Sequence, residues 1–477
     1  MLSQRSSLVG PAAHCAAQCA TVAALAVLVG TAVPGEAARA DINPLTRDSY
    51  YNPKKWDTEG PGTALPWLHP PIWTQDQDWG VLGGDPEAQN LTGGWGGLRD
   101  RLVAWGLSLQ SAYLGQFAAN PVGGVTQGGA SWRGDLALAA YADLDRLFGL
   151  DRTYFAASMA YDDGTRSLTP AYVGNQFPVQ LSTVSVDRLV RLVHLTAGTQ
   201  IFDDTLELDF GRLITGDAFA TLSQACNSLN QAICANPIAA VQDVSFPIYP
   251  NAVWGMGLQL RPERSWYALG GAFLVDDEIF DPTNGGVDFG APPGSGPLVI
   301  GEVGYLAGLQ DYRPGAATPD AFAVSGTYKL GAYYDGESLE NLSTGAQQRH
   351  TWGLYAMGEH RLYREARDRD DGLWGWLAAS YAPPDVNEVQ FMIAGGLSYN
   401  GLLDSRPNDT LSFTFARGQY SGRLEDRNAE TLLEVGYKAQ LLPWTYVEPN
   451  VQYVIDPDGK STIDDALVVG FALGVTF

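Results

Sequence analysis

Apolar and polar residues alternate along most of the chain beyond residue 101. The segment TLSFTFA at 410–416, for example, alternates Thr and Ser with Leu and Phe. Successive side chains of an extended strand point to opposite faces, so each such segment predicts a strand with one apolar and one polar face. About sixteen of these segments occur, at residues 102–117, 135–144, 152–161, 189–198, 206–215, 252–262, 266–276, 298–308, 321–334, 351–363, 373–381, 389–399, 410–420, 430–441, 445–455 and 466–477.

The last segment has the most apolar face. In DALVVGFALGVTF, from Asp465 to Phe477, alternate positions carry Leu, Val and Phe, and the positions between them carry Ala, Val, Gly and Thr. A soluble sheet would need further structure to cover such a face, whereas a lipid bilayer would cover it directly. We therefore expect this strand to face lipid.

The connections between the predicted strands alternate in length. Tight turns are expected at 202–204, 262–264 and 442–444, and long loops at 120–133, 162–185, 217–251 and 276–296. Short turns on one side and long loops on the other are typical of outer-membrane barrels, and bacterial barrels have even strand numbers. The pattern predicts an all-β fold, an outer-membrane antiparallel β-barrel of about 16 strands with short periplasmic turns and long extracellular loops.

A soluble β-sandwich or propeller is the structural alternative, because its strands also alternate. Aromatic residues near strand ends favour the barrel, since an interfacial girdle would lie there. The aromatic residues assigned to this girdle are Tyr154, Trp254, Trp266, Tyr267, Tyr305, Trp352, Trp374, Trp376, Tyr399, Trp444 and Tyr446.

The N-terminus has the features of a secretory signal. Arg5 precedes an apolar core at Cys19–Val33, and the small-x-small sequence ARA follows at 38–40. The apolar run of about 15 residues is shorter than the roughly 20 that a membrane-spanning helix needs. We predict a signal peptide at 1–40, a periplasmic N-terminal extension at 41–94, which is rich in Pro, Trp and Gly, and the transmembrane barrel at 95–477.

The chain is strongly acidic, with 53 acidic and 29 basic side chains and a net charge of −24. Removing Arg5, Glu36 and Arg39 with the leader leaves 52 acidic and 27 basic side chains and a net charge of −25. An acidic surface argues against nucleic acid as a partner. The acidity is also compatible with a general or cation-preferring pore.

Two cysteines remain after the leader is removed. Cys226 and Cys234 lie eight positions apart in a segment rich in Ser, Asn and Gln. In an exported protein this arrangement predicts a disulfide within a loop. A metal site is the alternative, but no further cysteine or nearby histidine would complete it.

The sequence lacks the usual signatures of catalysis. It contains no GxSxG, phosphate loop, HExxH or Rossmann fingerprint. The histidines beyond the leader have no metal-ligand spacing. Paired carboxylates such as Asp162-Asp163 could resemble a glycosidase pair, but we expect them in loops, solvated or binding a divalent cation. We therefore predict no enzyme activity and no cofactor, apart from a loop-bound divalent cation as an option.

Several segments together resemble the carbohydrate-selective porins of the OprB type. The resemblance runs from Trp95 almost to the end of the chain. It departs from the family at Gln116, where Asp is common, and at 457–459, where the family has Pro-Gly-Gly. The segments are Gly96–Arg101, Tyr113–Gly124, Asp143–Gly149, Leu206–Leu213, Ser245–Gly255, Gly353–Glu365, Gly401–Thr410, Pro443–Trp444 and Glu448–Gly459.

This resemblance implies an outer-membrane channel for small sugars. Outer-membrane lipid and lipopolysaccharide would surround it, and a homo-oligomer or a periplasmic partner would be compatible with it. The terminal strand ending in Phe477 resembles the signal by which the barrel-assembly machinery recognises its substrates.

If the apolar faces contact lipid, the polar faces line the lumen, with charges of both signs. Such groups could exchange hydrogen bonds with sugar hydroxyls, although each could also be simply solvated in a wide pore. Three functions follow as hypotheses: a porin selective for glucose-like monosaccharides, a general or cation-preferring porin, and a carbohydrate-active hydrolase. The candidate pore-lining residues are Glu207, Asp209, Lys329, Glu434 and Lys438 in mid-strand, Arg133 and Arg188 at loop bases, Arg212 beside an expected bulge at Gly211, and Glu302 and Glu359.

Overall fold

The chain forms a closed antiparallel barrel of sixteen strands. The computed structural model describes residues 90–181, 188–202, 205–234, 236–263, 265–281, 283–290, 295–307, 326–365 and 371–477. The predicted signal peptide and nearly all of the predicted extension lie outside the described residues. The strands are β1 Leu107–Gly124, β2 Gly129–Asp143, β3 Thr153–Gly164, β4 Arg188–Ile201, β5 Leu206–Leu213, β6 Val253–Glu263, β7 Trp266–Val275, β8 Gly296–Ala307, β9 Gly326–Asp335, β10 Thr351–Arg364, β11 Gly372–Tyr381, β12 Val389–Asn400, β13 Thr410–Tyr420, β14 Ala429–Leu442, β15 Thr445–Ile455 and β16 Asp464–Thr476.

Each strand pairs with its neighbours in the chain, and β16 pairs with β1 to close the sheet. At this seam Phe117 lies opposite Phe471. Closure leaves no strand edge with unpaired backbone groups, which is the condition for a sheet to span a bilayer. The predicted fold class and the predicted pairing of the last strand with the first are therefore confirmed.

The apolar and polar residues that alternate along each strand lie on the outer and inner faces of the barrel wall. Leu330 and Leu377 point outward and are 65% and 53% exposed. In β16, Phe471 points outward, whereas Ala466 and Ala472 are fully buried on the inner face. The apolar parity of the terminal strand therefore faces outward, as predicted.

Helices are few and short among the described residues. They are α1 Leu98–Trp105, α2 Leu144–Phe148, α3 Thr215–Ala218, α4 Gln231–Cys234 and α5 Ala240–Asp243, with a π turn at Thr169–Val173 and 3₁₀ turns at Ser223–Cys226, Asp277–Phe280 and Pro457–Gly459. A two-residue hairpin pairs Leu339–Glu340 with Gln347–Gln348. Over the ranges given above, no helix is long and apolar enough to cross a membrane.

The segment that leads into the first strand is hydrogen-bonded to the end of the last strand. Helix α1 precedes β1, and the Arg99 Nη2 atom donates a hydrogen bond to the backbone oxygen of Phe477 at 2.9 Å. The Leu91 amide donates to the Thr476 carbonyl at 2.8 Å, and the Phe477 amide donates to the Ser111 carbonyl at 3.0 Å. These bonds satisfy backbone groups where the barrel begins and ends.

The first predicted strand and the first predicted loop are wrong in detail. Helix α1 occupies the start of the region predicted as strand 102–117, and β1 continues to Gly124. Residues 120–133 are mostly strand because the connection is a tight turn. The Asn120 side chain holds this turn by donating to the Gly123 and Thr126 carbonyls and accepting from the Gly129 amide. Asp162-Asp163, predicted in a loop, lies within β3.

Not all of the aromatic residues assigned to the interfacial girdle face outward. Trp266 and Trp352 are exposed on the outer face, but several of the other residues are buried on the lumen face, because their parity matches the polar positions of their strands. The inward-facing residues are Tyr154, Tyr267, Trp374, Trp376 and Tyr446.

Three inward tyrosines lie flat against glycines of the adjacent strand. A Cβ atom built on Gly198, Gly304 or Gly474 would fall within 2.0–2.3 Å of the ring of Tyr154, Tyr267 or Tyr446, respectively. A ring covering a strand glycine is a recognised stabilising arrangement in sheets. These glycines therefore allow the rings to lie along the wall.

We expect Gly304→Ala to destabilise the barrel by about 1–3 kcal/mol, because the new methyl overlaps the Tyr267 ring. Gly270→Ala is the matched control, since a Cβ atom there meets nothing within 4 Å. Heat-dependent mobility in gel electrophoresis would report the unfolding of each variant. Equal unfolding temperatures for the two variants would contradict the proposed ring–glycine packing.

Candidate functional site

The segment between β5 and β6, residues 214–252 and here called L3, crosses the lumen. Near its stem it follows β5, and farther along it contacts β11, β12 and β14. Since β5 and β14 are separated by nearly half of the sixteen-strand circle, L3 reaches the opposite wall. Residue 235 of this segment lies outside the described residues.

The composition of L3 explains why it can be buried. Between Asp217 and Asp243 the chain carries no Asp, Glu, Lys or Arg. Phe219, Ile233 and Ile238 are almost fully buried and form part of the apolar cluster inside the barrel. An uncharged segment can enter the lumen without the cost of desolvating ionised groups.

A disulfide closes the middle of L3. Cys226 and Cys234 are bonded, as predicted, with a sulfur–sulfur distance of 2.04 Å. We call residues 226–234 the disulfide ring. It contains α4, and it contacts β12, β14 and β15.

Glu434 on β14 accepts hydrogen bonds from the disulfide ring. The Leu229 amide donates to one carboxylate oxygen at 2.8 Å, and the Asn230 amide donates to the other at 3.3 Å. The Ser228 hydroxyl also donates to this carboxylate, and the Asn450 side chain on β15 donates at 3.0 Å. The carboxylate is buried and satisfied by these donors.

Two further wall carboxylates bind L3 in the same way. Glu359 on β10 accepts from the Ser223 hydroxyl and the Gln224 amide, both at 3.0 Å. Glu302 on β8 accepts from the Ala220 amide at 2.9 Å. Both side chains are buried on the inner face of the wall, where the structure places loop donors against them.

The residues around Glu302 orient its carboxylate. The Tyr355 hydroxyl donates to it at 2.8 Å and the Tyr267 hydroxyl at 3.1 Å. Lys329 lies 3.8 Å from the same carboxylate and donates to the Thr221 hydroxyl of L3 at 2.9 Å. Lys329 is therefore shared between the wall and L3.

The segment between β3 and β4, residues 165–187 and here called L2, also folds inward. Its Gln176 and Phe177 amides donate to Glu430 of β14 at 2.8 and 2.9 Å. The Gln231 amide of the disulfide ring donates to the Pro178 carbonyl at 3.0 Å. L2 and L3 are thus bound to the same wall and to each other. Residues 182–187 lie outside the described residues.

The stem of L3 is attached to β4 through a histidine. The His194 Nε2 atom lies 2.9 Å from a carboxylate oxygen of Asp217, and the His194 Nδ1 atom lies 2.7 Å from the Ser158 hydroxyl. Burial raises the pKa of Asp217, and the adjacent histidine opposes this effect. The three side chains link β3, β4 and L3.

Two of the three predicted arginines bind carbonyl groups at the bases of loops. Arg133, only 1% exposed, donates to the Thr165 carbonyl at 2.7 Å, and Arg212 donates to the Ala252 carbonyl. Arg188 is the first residue of β4, next to L2. Arg133, however, lies within β2 because the predicted loop 120–133 is not formed.

The expected bulge at Gly211 is not present. Gly211 has a φ of 136°, and a side chain there would meet the Leu195 carbonyl. The pairing of β5 with β4 and with β6 nevertheless continues through this position without a shift. The glycine permits an unusual backbone angle within a regular ladder.

The other candidate residues form contacts within the wall. The Tyr154 hydroxyl donates to Asp209, and the Gln200 side chain donates to Glu207 at 3.3 Å. The Lys438 ammonium lies 4.7 Å from the centre of the Tyr446 ring. Contact of any of these residues with a sugar stays a prediction.

The inward aromatic rings belong to the lumen but were not proposed as lumen residues. Arg361 of β10 lies over Trp374 at 4.6 Å, and Trp376 lies on the same face of β11. Extending the parity of Ala378 and Ser380 along the strand would have identified both tryptophans as inward-facing. Aromatic rings can stack on the C–H face of a sugar, and their presence adds to the chemistry of the lumen.

The described residues contain no group of three or more His, Cys, Asp or Glu arranged to hold a metal ion. A loop-bound divalent cation stays a prediction. The lumen thus combines acidic, basic, amide and aromatic groups, narrowed by two inward loops. Such a surface can bind and release polar neutral solutes.

Comparison with known proteins gives a consistent result. The family model described as "Carbohydrate-selective porin, OprB family" matches residues 127–477. Porin B of Pseudomonas aeruginosa is 23% identical over 435 residues, covering 82% of this chain and 92% of that protein. The high-pH structure of Pseudomonas putida OprB has a TM-score of 0.74 at 22% identity, covering 82% of this chain and 99% of that chain.

The stability of the protein should depend on pH through Glu337, which binds L3 near residue 245. The Ser245 hydroxyl donates to Glu337, in the loop after β9, at 3.1 Å. Burial, followed by the charge of Asp335, raises the pKa of Glu337 from 4.5 to about 8. The folded protein therefore holds a proton that the unfolded chain releases, and the free energy of unfolding falls as the pH rises across this interval.

Glu337→Gln should weaken that dependence, because the amide cannot lose the proton. We expect the unfolding temperature of the unmodified protein to fall more between pH 5 and pH 8 than that of the variant. Thermal unfolding in detergent across this range measures the difference. Parallel curves would show that Glu337 is not the titrating group.

Proposed function

Because the chain belongs to the OprB family of carbohydrate-selective porins, we propose that it conducts glucose-like monosaccharides by passive diffusion through the narrowed lumen. The protein is an outer-membrane porin, and the family match over residues 127–477 carries this assignment. The preference for monosaccharides goes beyond the family assignment. It is supported by L2 and L3, which fold into the lumen and narrow it.

The single observation that favours a narrow, sugar-sized path is the attachment of L3 to the far wall. Donors of L3 bind Glu302, Glu359 and Glu434 on three different strands. A loop attached at several points across the lumen leaves less cross-section than an open sixteen-stranded barrel would. Small solutes would then pass close to the remaining polar and aromatic side chains.

These side chains suit a neutral sugar. Hydroxyl groups can exchange hydrogen bonds with carboxylates, amides and cationic groups as water is removed, and a pyranose ring can stack on an aromatic face. Lys438 beside Tyr446, and Arg361 beside Trp374, place a cation next to an aromatic ring. Binding must remain weak for flux to continue, and diffusion needs no energy source.

A general or cation-preferring porin is the second candidate, favoured by the acidic composition. The structure weakens the case for cation preference, because the carboxylates of Glu302, Glu359 and Glu434 already accept hydrogen bonds from the loop and the wall. Neutral donors do not cancel the charge of a carboxylate, but oxygens occupied in this way are less available to coordinate a mobile cation directly. A carbohydrate-active hydrolase, the third hypothesis, has no specific observation in its favour.

Planar-bilayer recording tests the proposal directly. We expect glucose to reduce the ionic current through the purified protein in a saturable way, because a sugar in the narrow segment displaces conducting ions. Liposome swelling should be faster with glucose than with a disaccharide of similar polarity. Free passage of salt with no effect of glucose would instead support the general porin.

A further inference from the structure

We propose that Glu434 is a positioning residue that sets the size limit of the channel by holding the disulfide ring against β14. It would do so without contacting the sugar. The inference rests on the proposed function, since it concerns which sugars pass. Glu434 would then hold a loop in place, whereas its position on the lumen face suggested direct contact with the sugar.

The first support is the convergence of donors on one carboxylate. Ser228, Leu229 and Asn230 are consecutive, lie inside the disulfide ring and all donate to Glu434. Two of these donors are backbone amides, so a change of loop side chains alone would not remove them. Hydrogen bonds to an ionised acceptor are roughly twice as strong as neutral ones.

The second support is the rigidity of what Glu434 holds. The disulfide between Cys226 and Cys234 restricts the ring, so that its displacement would move its residues together. The Asn227 side chain donates to Ser398 of β12 at 3.1 Å. The Asn230 side chain donates to the Phe177 carbonyl of L2 at 3.2 Å, which connects the ring to the second inward loop.

The third support is the chemistry of the carboxylate itself. An ionised carboxylate accepts at both oxygens and donates nothing, which matches a site surrounded by N–H and O–H groups. In Glu434→Gln one oxygen becomes an NH₂ group facing other donors. Loss of the charge-assisted bonds should lower the ratio of attached to detached ring by about tenfold or more.

Detachment of the ring would affect large solutes more than small ones. A monosaccharide already passes the attached state, whereas a disaccharide would gain a path only when the ring moves away from β14. The ratio of disaccharide to monosaccharide permeation should therefore rise. A purely structural defect in the barrel would lower the amount of folded protein and reduce both rates by the same factor.

The experiment is liposome swelling with the full-length protein and two solutes, glucose and sucrose, at equal amounts of heat-resistant folded barrel. We expect Glu434→Gln to raise the sucrose-to-glucose ratio severalfold. Glu365→Gln is the matched control, because it removes the same charge at an exposed position before β11. The control should keep the ratio of the unmodified protein.

Ser228→Ala gives a second measurement if Glu434→Gln fails to fold. It removes one donor and keeps the carboxylate, so we expect a smaller rise in the same ratio. Where both variants fold, the double variant should show less than the product of the two single effects, because both act on one contact.

The outcomes separate this inference from the proposed function. If the unmodified protein passes glucose and both variants keep its sucrose-to-glucose ratio, Glu434 does not set the size limit. If the unmodified protein shows no glucose uptake while it conducts salt, the proposed function itself is wrong. A ratio that also rises in Glu365→Gln would assign the effect to net charge and overturn the inference.

Discussion

The burial of carboxylates on the inner wall is the constraint on which the lumen depends. A buried carboxylate without hydrogen-bond donors is costly, and the backbone amides of the strands are already used in the sheet. Wall side chains such as Tyr355 and Asn450 supply some donors. The backbone donors come from L3, whose amides at Ala220, Gln224 and Leu229 bind Glu302, Glu359 and Glu434. The loop and the wall therefore satisfy each other, and this mutual requirement fixes the path of L3 across the barrel.

Much of the fold could be predicted from the sequence because lipid and lumen impose opposite chemistry on alternate residues. The sixteen strands, their closure through β16 and the disulfide follow from parity and spacing. Tyr154, Tyr267 and Trp376 were misassigned because their position near a strand end was given more weight than their parity. The turn at Asn120 was missed because it depends on side-chain bonds that local composition does not reveal.

The site was predictable only in part. The alternation of the strands places Glu302, Glu359 and Glu434 on the inner face, but it does not reveal their loop partners, since these lie more than eighty positions away in the chain. The one local signal of an inward loop was the uncharged stretch between Asp217 and Asp243. The contacts of Lys438 and Arg361 with aromatic rings likewise depend on strand pairing that single segments do not specify.

Hydrogen–deuterium exchange of the L3 amides tests the central claim most directly. Amides that donate to buried carboxylates should exchange slowly, because exchange requires L3 to leave the wall. We expect peptides covering 218–231 to be protected nearly as well as peptides from β13. Exchange of these peptides at the rate of an unstructured chain, with β13 still protected, would contradict the claim that wall carboxylates hold L3 in the lumen.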